Sequence, residues 1–498
     1  MARHARQPRE SAESGEGRGP SHRWWVLAVI GLAQLMVVLD ATIVNIALPS
    51  AQQDLGFSDG NRQWIVTAYA LAFGSLLLLG GRIADLVGRR VVFLTGLVGF
   101  AVASAIGGAA PSFEVLVLAR TLQGMFGALL APAALSLLTT TFTVPKERAK
   151  AFGIYGAIAG TGGAVGLLLG GVLTEYLDWR WCLYVNLLFA LVAFVGGWRL
   201  LTAGAPTDRP KLDIPGTVLV SAGLFCIVFG FSRAETHPWS SPDTWAFLLA
   251  GVVLVAAFVW WQTRAAHPLL PMRVVLDRDR AASYLAMFIS GGGLFGVFLF
   301  LTYFLQKSLF YSPVSTGLAF LPMIAVMIVT SVTTTNVLVP RVGAKPIVPL
   351  GMGIAAGGMV WLTTLDLNST YFAHVLPPLV CLGLGLGMIF ATAMNLATAG
   401  VSARDAGVAS AMVNTSQQVG GSIGTALLNT LATSAAADYL AGRRPTPAAV
   451  AQAQLESYST AYWWSAGFFA VGLLLTVTLY RRGVPQSHLV DEPAPVRA

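Results

Sequence analysis

The chain has 498 residues, of which 55% are hydrophobic and 11% charged, with a formal net charge of +8. Soluble domains carry about one quarter charged residues, so most of this chain belongs in lipid, and the basic excess is not by itself a nucleic-acid footprint. Three cysteines, Cys182, Cys226 and Cys381, fall singly in apolar runs, a pattern that excludes a disulfide framework or a cysteine-based metal site.

Residues 1–22 are polar and rich in Arg, Gly and Ser; they read as a disordered tail without a cleavable signal peptide. The run 24–48 that follows is long enough to cross a bilayer, for which about 20 apolar residues suffice. It contains Asp40. A carboxylate there costs about 2.5–3.5 kcal/mol on insertion scales, so it is kept to face a partner, a cavity or a proton path. Pro49 and the polar segment 50–63 are expected to end this helix, which places Asp40 well inside the membrane and nearer the exit end.

Further apolar runs lie at 63–82, 91–110, 113–139, 149–173, 181–201, 214–232, 244–262, 281–306, 315–339, 346–365, 372–399, 406–433 and 460–480. They predict an all-α polytopic membrane protein of fourteen spans with both termini on one side. Most of the 31 Lys and Arg fall on that side, Arg120 alone lying deep inside a span. By the positive-inside rule the termini are cytoplasmic, in a multi-pass protein of the cell membrane. Trp24–Trp25, Trp260–Trp261 and Trp463–Trp464 sit at span ends, as interfacial anchors do.

The two halves echo each other. Gly88-Arg89-Arg90 with Gly96 is matched by Gly343-Ala344-Lys345 with Gly351, and Gly162-Gly163 with Gly166 by Gly420-Gly421 with Gly424. Such echoes predict a duplicated six-helix unit. The expected division is a tail 1–22, an N-terminal bundle 23–201, linkers and inserted helices 202–280, a C-terminal bundle 281–481 and a tail 482–498.

Three stretches carry chemistry. The loop Gly81-Arg82-Ile83-Ala84-Asp85-Leu86-Val87-Gly88-Arg89-Arg90 needs glycine for a tight turn, and Asp85 is expected just before the next helix, as a cap for its N–H groups. In span 4, Arg120 falls at about the depth of Asp40, so that pairing would lower the cost of both charges. Span 5 holds Gly162, Gly166, Gly170 and Gly171, whose spacing of four lets another helix approach closely.

Together these stretches resemble the major facilitator superfamily, and within it the fourteen-helix drug:proton antiporter branch that includes multidrug and quaternary-ammonium efflux pumps. The segment Leu39–Pro49 is similar to that branch's first-helix signature. Gly81–Arg90 resembles the superfamily's motif between helices two and three, and Arg120–Gly124 its fourth-helix motif. Asp178-Trp179-Arg180-Trp181 is typical of the branch before helix six. The chain departs at Leu167, where the fifth-helix motif usually has proline, and at Leu188, where proline often follows Asn186-Leu187. Spans 9–14 also carry no acidic residue at depth, since Asp366 and Asp405 fall in loops or at span ends.

The resemblance implies proton-coupled efflux of a hydrophobic or amphipathic small molecule by alternating access between two bundles. It needs no cofactor beyond the proton gradient, and as partners only lipid, substrate and protons. The chain is expected to work as a monomer and to bind no nucleic acid. Asp40 and Arg120 would couple protons, and the loop with Gly81, Asp85, Gly88, Arg89 and Arg90 would act as a latch. Substrate contacts would come from Met36, Gln123, Tyr284, Phe288, Phe295, Phe298, Asn395, Asn414 and Gln417, each of which could equally serve packing. One deep carboxylate against one deep guanidinium favours a neutral, zwitterionic or singly cationic substrate over a dication. The rival readings are a metabolite or lipid transporter, or a non-transporting sensor of the same fold. An enzyme is disfavoured, because the six histidines lie in loops, tails or at a span edge rather than clustered at one depth.

Overall fold

The computed structural model describes residues 20–58, 60–142, 144–202, 213–236, 241–398, 401, 406–444 and 446–481. Residues 1–19 of the expected N-terminal tail, the whole tail 482–498 and most of the linker 202–213 therefore lie outside the described residues, as does Asp405, whereas residues 20–22, expected in the tail, are helical. The side chains of Asp85 and Phe295 are likewise outside. Among the described residues there are fourteen helices of 19 residues or more and no strand. We number them α1 (Pro20–Leu55), α2 (Gln63–Val87), α3 (Arg89–Gly108), α4 (Phe113–Thr141), α5 (Pro145–Tyr176), α6 (Trp181–Leu200) and α7 (Ile214–Thr236). The remainder are α8 (Pro242–Gln262), α9 (Arg278–Tyr303), α10 (Pro313–Thr333), α11 (Ala344–Leu362), α12 (Leu376–Thr398), α13 (Ala406–Leu440) and α14 (Pro447–Leu479). Eleven of them are long and apolar enough to cross a membrane; α2, α5 and α13 do not meet that measure among the described residues.

Boundaries differ from expectation where polar residues continue a helix. Pro49 lies inside α1, which runs on to Leu55; a lone proline removes one backbone bond and kinks a helix without having to end it. α14 begins at Pro447, far before the apolar run, because Thr446 accepts from the Ala449 N–H at 3.2 Å as an N-cap. Asp85 falls in the last turn of α2, not ahead of α3. Only Gly88 separates the two helices, and whether the Asp85 carboxylate caps α3 lies outside the described residues.

That glycine has φ 106°, and its counterpart Gly343, between the short turn Val339–Val342 and α11, has φ 74°. Both conformations strain any residue with a Cβ, which explains the glycine at the same point of each half. The packing repeats as well. α5 lies on α1, where a Cβ on Gly162 would meet Val38, one on Gly166 Thr42 and one on Gly170 Ile43. α13 lies in the same way on α9, through Gly420 against Phe288 and Gly424 against Gly292.

α1 to α6 pack on one another, as do α9 to α14. Contacts between the two groups run chiefly through α5 on α10 and α2 on α13, while α7 pairs with α8 and leans on α13 and α2. On the first of these seams a Cβ at Gly171 would stand 2.7 Å from Pro313 O and from Val314 Cα. Leu167, fully buried, presses its carbonyl on Gly317 of α10. The α7–α8 pair is pinned by Asp213, whose carboxylate accepts from Gln262 Nε2 at 2.6 Å, Trp261 Nε1 at 2.7 Å, the Gly216 N–H at 2.9 Å and the Leu269 N–H at 3.3 Å.

Candidate functional site

Five of the first six helices converge on Asp40. It sits mid-way along α1 with no exposed surface, and Arg120 of α4 is 1% exposed. The guanidinium donates to Asp40 Oδ2 at 2.7 Å, to Gln123 Oε1 at 2.8 Å and to the Ile65 carbonyl of α2 at 3.1 Å. It also lies over the Tyr69 ring, 4.4 Å from its centroid, where the ring quadrupole favours a cation. Gln123 Nε2 donates to Asp40 Oδ1 at 3.0 Å and to Ser104 Oγ of α3 at 2.7 Å. Asn186 of α6 donates to the same Asp40 Oδ1 at 2.7 Å.

A desolvated ion pair persists only when its remaining lone pairs and protons are also bonded, and the two amides and the Ile65 carbonyl do that here. Arg120 and Gln123 are three residues apart on one helix, so both side chains leave the same face. The equal depth read from the sequence corresponds to direct contact. Asn186 and Ser104 were not singled out as partners of the carboxylate. The available signal was an amide within an apolar span, but nothing in the sequence tells which face of α6 meets α1.

A second polar cluster joins the two helix groups at the end where α1 stops and α2 begins. Arg62 Nε donates to Asn429 Oδ1 of α13 at 3.2 Å, and Asn429 Nδ2 donates to Gln63 Oε1 at 2.6 Å. The Arg62 guanidinium lies 4.3 Å from the centroid of Tyr303. Tyr303 in turn donates to Gln52 Oε1 at 2.6 Å, and Gln306 Nε2 to the Ile46 carbonyl at 3.2 Å. Sequence reading missed this cluster because its members sit at span edges, where polar residues are ordinary. Beside it, Asp54 accepts from Arg180 at 2.5 Å and from Trp179 Nε1 at 3.1 Å, which places the Asp178–Trp181 motif as a clasp on the end of α1.

The other expected site residues are spread more widely. Met36 is fully buried in the core formed with α2 and α4. Tyr284 is buried and donates to the Ala397 carbonyl at 3.4 Å, and Phe298 packs on Phe320 with centroids 5.1 Å apart. Phe288 lies against the cluster shared by α2, α7 and α13. Asn414 and Gln417 are half-buried on α13, and Asn395 is exposed on α12. In the loop, Arg90 donates to the Trp198 carbonyl at 2.8 Å and Arg82 to that of Pro268 at 3.1 Å, while Gly81 faces Pro132 and Arg89 opens α3. A cavity of about 10 Å³ beside Arg120, walled by Val44, Leu48, Ile65 and Leu116, is far below the several hundred Å³ that a drug-sized ligand occupies.

A family model described as Major Facilitator Superfamily matches residues 30–425. The chain belongs to the Major Facilitator Superfamily. It is a multi-pass membrane transporter and not an enzyme. The puromycin resistance protein pur8 of Streptomyces alboniger is 51% identical over 478 residues, covering 95% of this chain and 94% of that protein. The cephamycin export protein CmcT of Amycolatopsis lactamdurans is 38% identical over 426 residues, covering 85% and 88%. Among solved structures, an auto-inhibited POT family peptide transporter superposes with a TM-score of 0.68 at 14% identity, over 95% of this chain and 99% of the other. That last likeness speaks to the fold alone.

Proposed function

We propose that this transporter exports an antibiotic-like, hydrophobic or amphipathic molecule across the cytoplasmic membrane in exchange for protons. In this reading it is a fourteen-span member of the drug:proton antiporter branch with cytoplasmic termini. Helices α1–α6 form one bundle (23–201) and α9–α14 the other (281–481), with α7 and α8 inserted, and the monomer is the working unit. The observation that carries the proposal is the buried Asp40–Arg120 pair with its bonded amides, a costly arrangement that plain packing does not require. The names of the relatives, resistance and export proteins for antibiotics, support export as the direction.

Asp40 is the proton carrier. When it binds a proton, the attraction to Arg120 falls and the contacts among α1, α4 and α6 loosen. When it releases the proton, the cluster closes again. The contacts of α5 with α10 and of α2 with α13 are the seams over which the bundles rock. The cluster around Arg62 and Asn429 closes one end of them, and the loop from Gly81 to Arg90 serves the other. The test is Asp40→Asn in proteoliposomes with puromycin as the probe substrate. Uphill, proton-driven export is expected to vanish while the variant inserts and folds normally; full export against a gradient would place the coupling elsewhere.

A further inference from the structure

Asn186 is the member of the Asp40 cluster that bonds the carboxylate directly and whose own bonding is incomplete. Its Nδ2 donates to Asp40 Oδ1 at 2.7 Å and reaches Ser104 Oγ at 3.4 Å, while its own Oδ1 is buried without a hydrogen-bond partner. Buried polar atoms are nearly always satisfied, so an orphan acceptor needs an explanation. Of the other groups bonded around the carboxylate, Gln123 Oε1 accepts from Arg120 and Ser104 Oγ accepts from Gln123; the Tyr69 hydroxyl is also buried without a partner, but it makes no hydrogen bond to the carboxylate. An ionised carboxylate only accepts, but a protonated one is also a donor and needs an acceptor. Arg120 holds Asp40 Oδ2 with a full positive charge, so a proton adds to Oδ1, which requires one of its two amide donors, Gln123 or Asn186, to give way.

We propose that Asn186 is a positioning residue that serves Asp40 in both protonation states, an inference that rests on Asp40 being the proton carrier. With Asp40 ionised, the Asn186 amide N–H donates to Oδ1. When a proton adds to Oδ1, the amide turns, its Oδ1 accepts the new O–H, and Nδ2 moves fully onto Ser104 Oγ. One O–H bond forms on uptake and the same bond breaks on release. The charged and titratable groups facing the carboxylate are Arg120 of α4, Tyr69 of α2 beneath that guanidinium, and Cys182 of α6; α3 offers Ser104 and α5 the glycine Gly166. Removing Asn186 therefore weakens both states, whereas removing Gln123, whose acceptor is already taken, weakens mainly the ionised one.

The experiment is infrared difference spectroscopy of the full-length protein in lipid nanodiscs as pH is varied, following the carboxylic C=O band that Asp40→Asn abolishes. Gln123→Leu is expected to raise the midpoint of that band by roughly one to two pH units, the effect of losing a hydrogen bond to a charged group. Asn186→Leu is expected to move the midpoint by clearly less, and to shift the band to the higher frequency of a carboxylic acid with a free O–H. Asn186→Thr, whose hydroxyl can donate and accept, brings the band back toward the wild-type position. Asn186→Ala replaces Asn186→Leu if the larger apolar side chain prevents folding. A band unmoved in frequency, with a midpoint raised as far as in Gln123→Leu, overturns the role of Asn186 and leaves Asp40 as the carrier. A band that survives in Asp40→Asn overturns both.

Discussion

Truncating Arg120 probes how far the Asp40 cluster acts as one unit. Arg120 makes three hydrogen bonds, to Asp40, Gln123 and the Ile65 carbonyl, and covers the Tyr69 ring. Arg120→Ala leaves the Asp40 carboxylate with two neutral amide donors and no solvent contact. Breaking a buried pair by removing one partner costs about 3–5 kcal/mol. Asp40→Asn is expected to cost a similar amount, because the guanidinium then lies buried opposite an amide. The double variant removes both charges, so its loss should fall short of the sum by about 2–3 kcal/mol. Reversible unfolding of the four proteins by SDS in mixed micelles measures this, and proton-driven puromycin transport is followed in parallel. At low pH the coupling should shrink, since a protonated Asp40 no longer needs its partner. Additivity within about 0.5 kcal/mol at neutral pH would refute the reasoning.

Two further outcomes follow from other parts of the fold. Asn429→Ala removes the amide that joins Arg62 and Gln63 to α13, so spin labels at the exposed positions Ser58 and Ala448 should report a longer and broader distance distribution; an unchanged distribution would mean this cluster does not hold the end closed. Asp213 is buried, which by itself raises its carboxyl, but hydrogen bonds from Gln262, Gly216, Trp261 and Leu269 outweigh this and hold it below the ordinary carboxylate range. Its stabilising effect is therefore complete above the ordinary value near 3.9 and lost as pH falls through the lower folded value. The melting temperature of Asp213→Asn should lie below wild type at neutral pH, the two converging in acid; a gap that persists in acid would place the effect elsewhere.

Much of the site was legible as depth. Asp40 and Arg120 stood out because a charge in an apolar run is rare, and counting residues from the span ends put them at one level. Gly88 and Gly343 stood out because both halves require the same backbone conformation there. Asn186 and Ser104 did not, since a neutral amide or hydroxyl in a span costs too little to announce itself. Pro49 and Asp85 were misplaced for a shared reason: local breaker and turn signals yield to neighbouring helices that hold α1 and α2 helical past them.

The amino-acid order alone determined what one-dimensional solvation dictates: which segments are apolar, which charges are anomalous among them, and that motifs of the first half are echoed in the second. The rotation of each helix about its axis was decided only by packing, because apolar membrane helices carry no polar face to orient them. That rotation turns Asn186 and Ser104 toward Asp40, sets Gly171 against Pro313, and brings Arg62 to Asn429 across more than three hundred residues of chain.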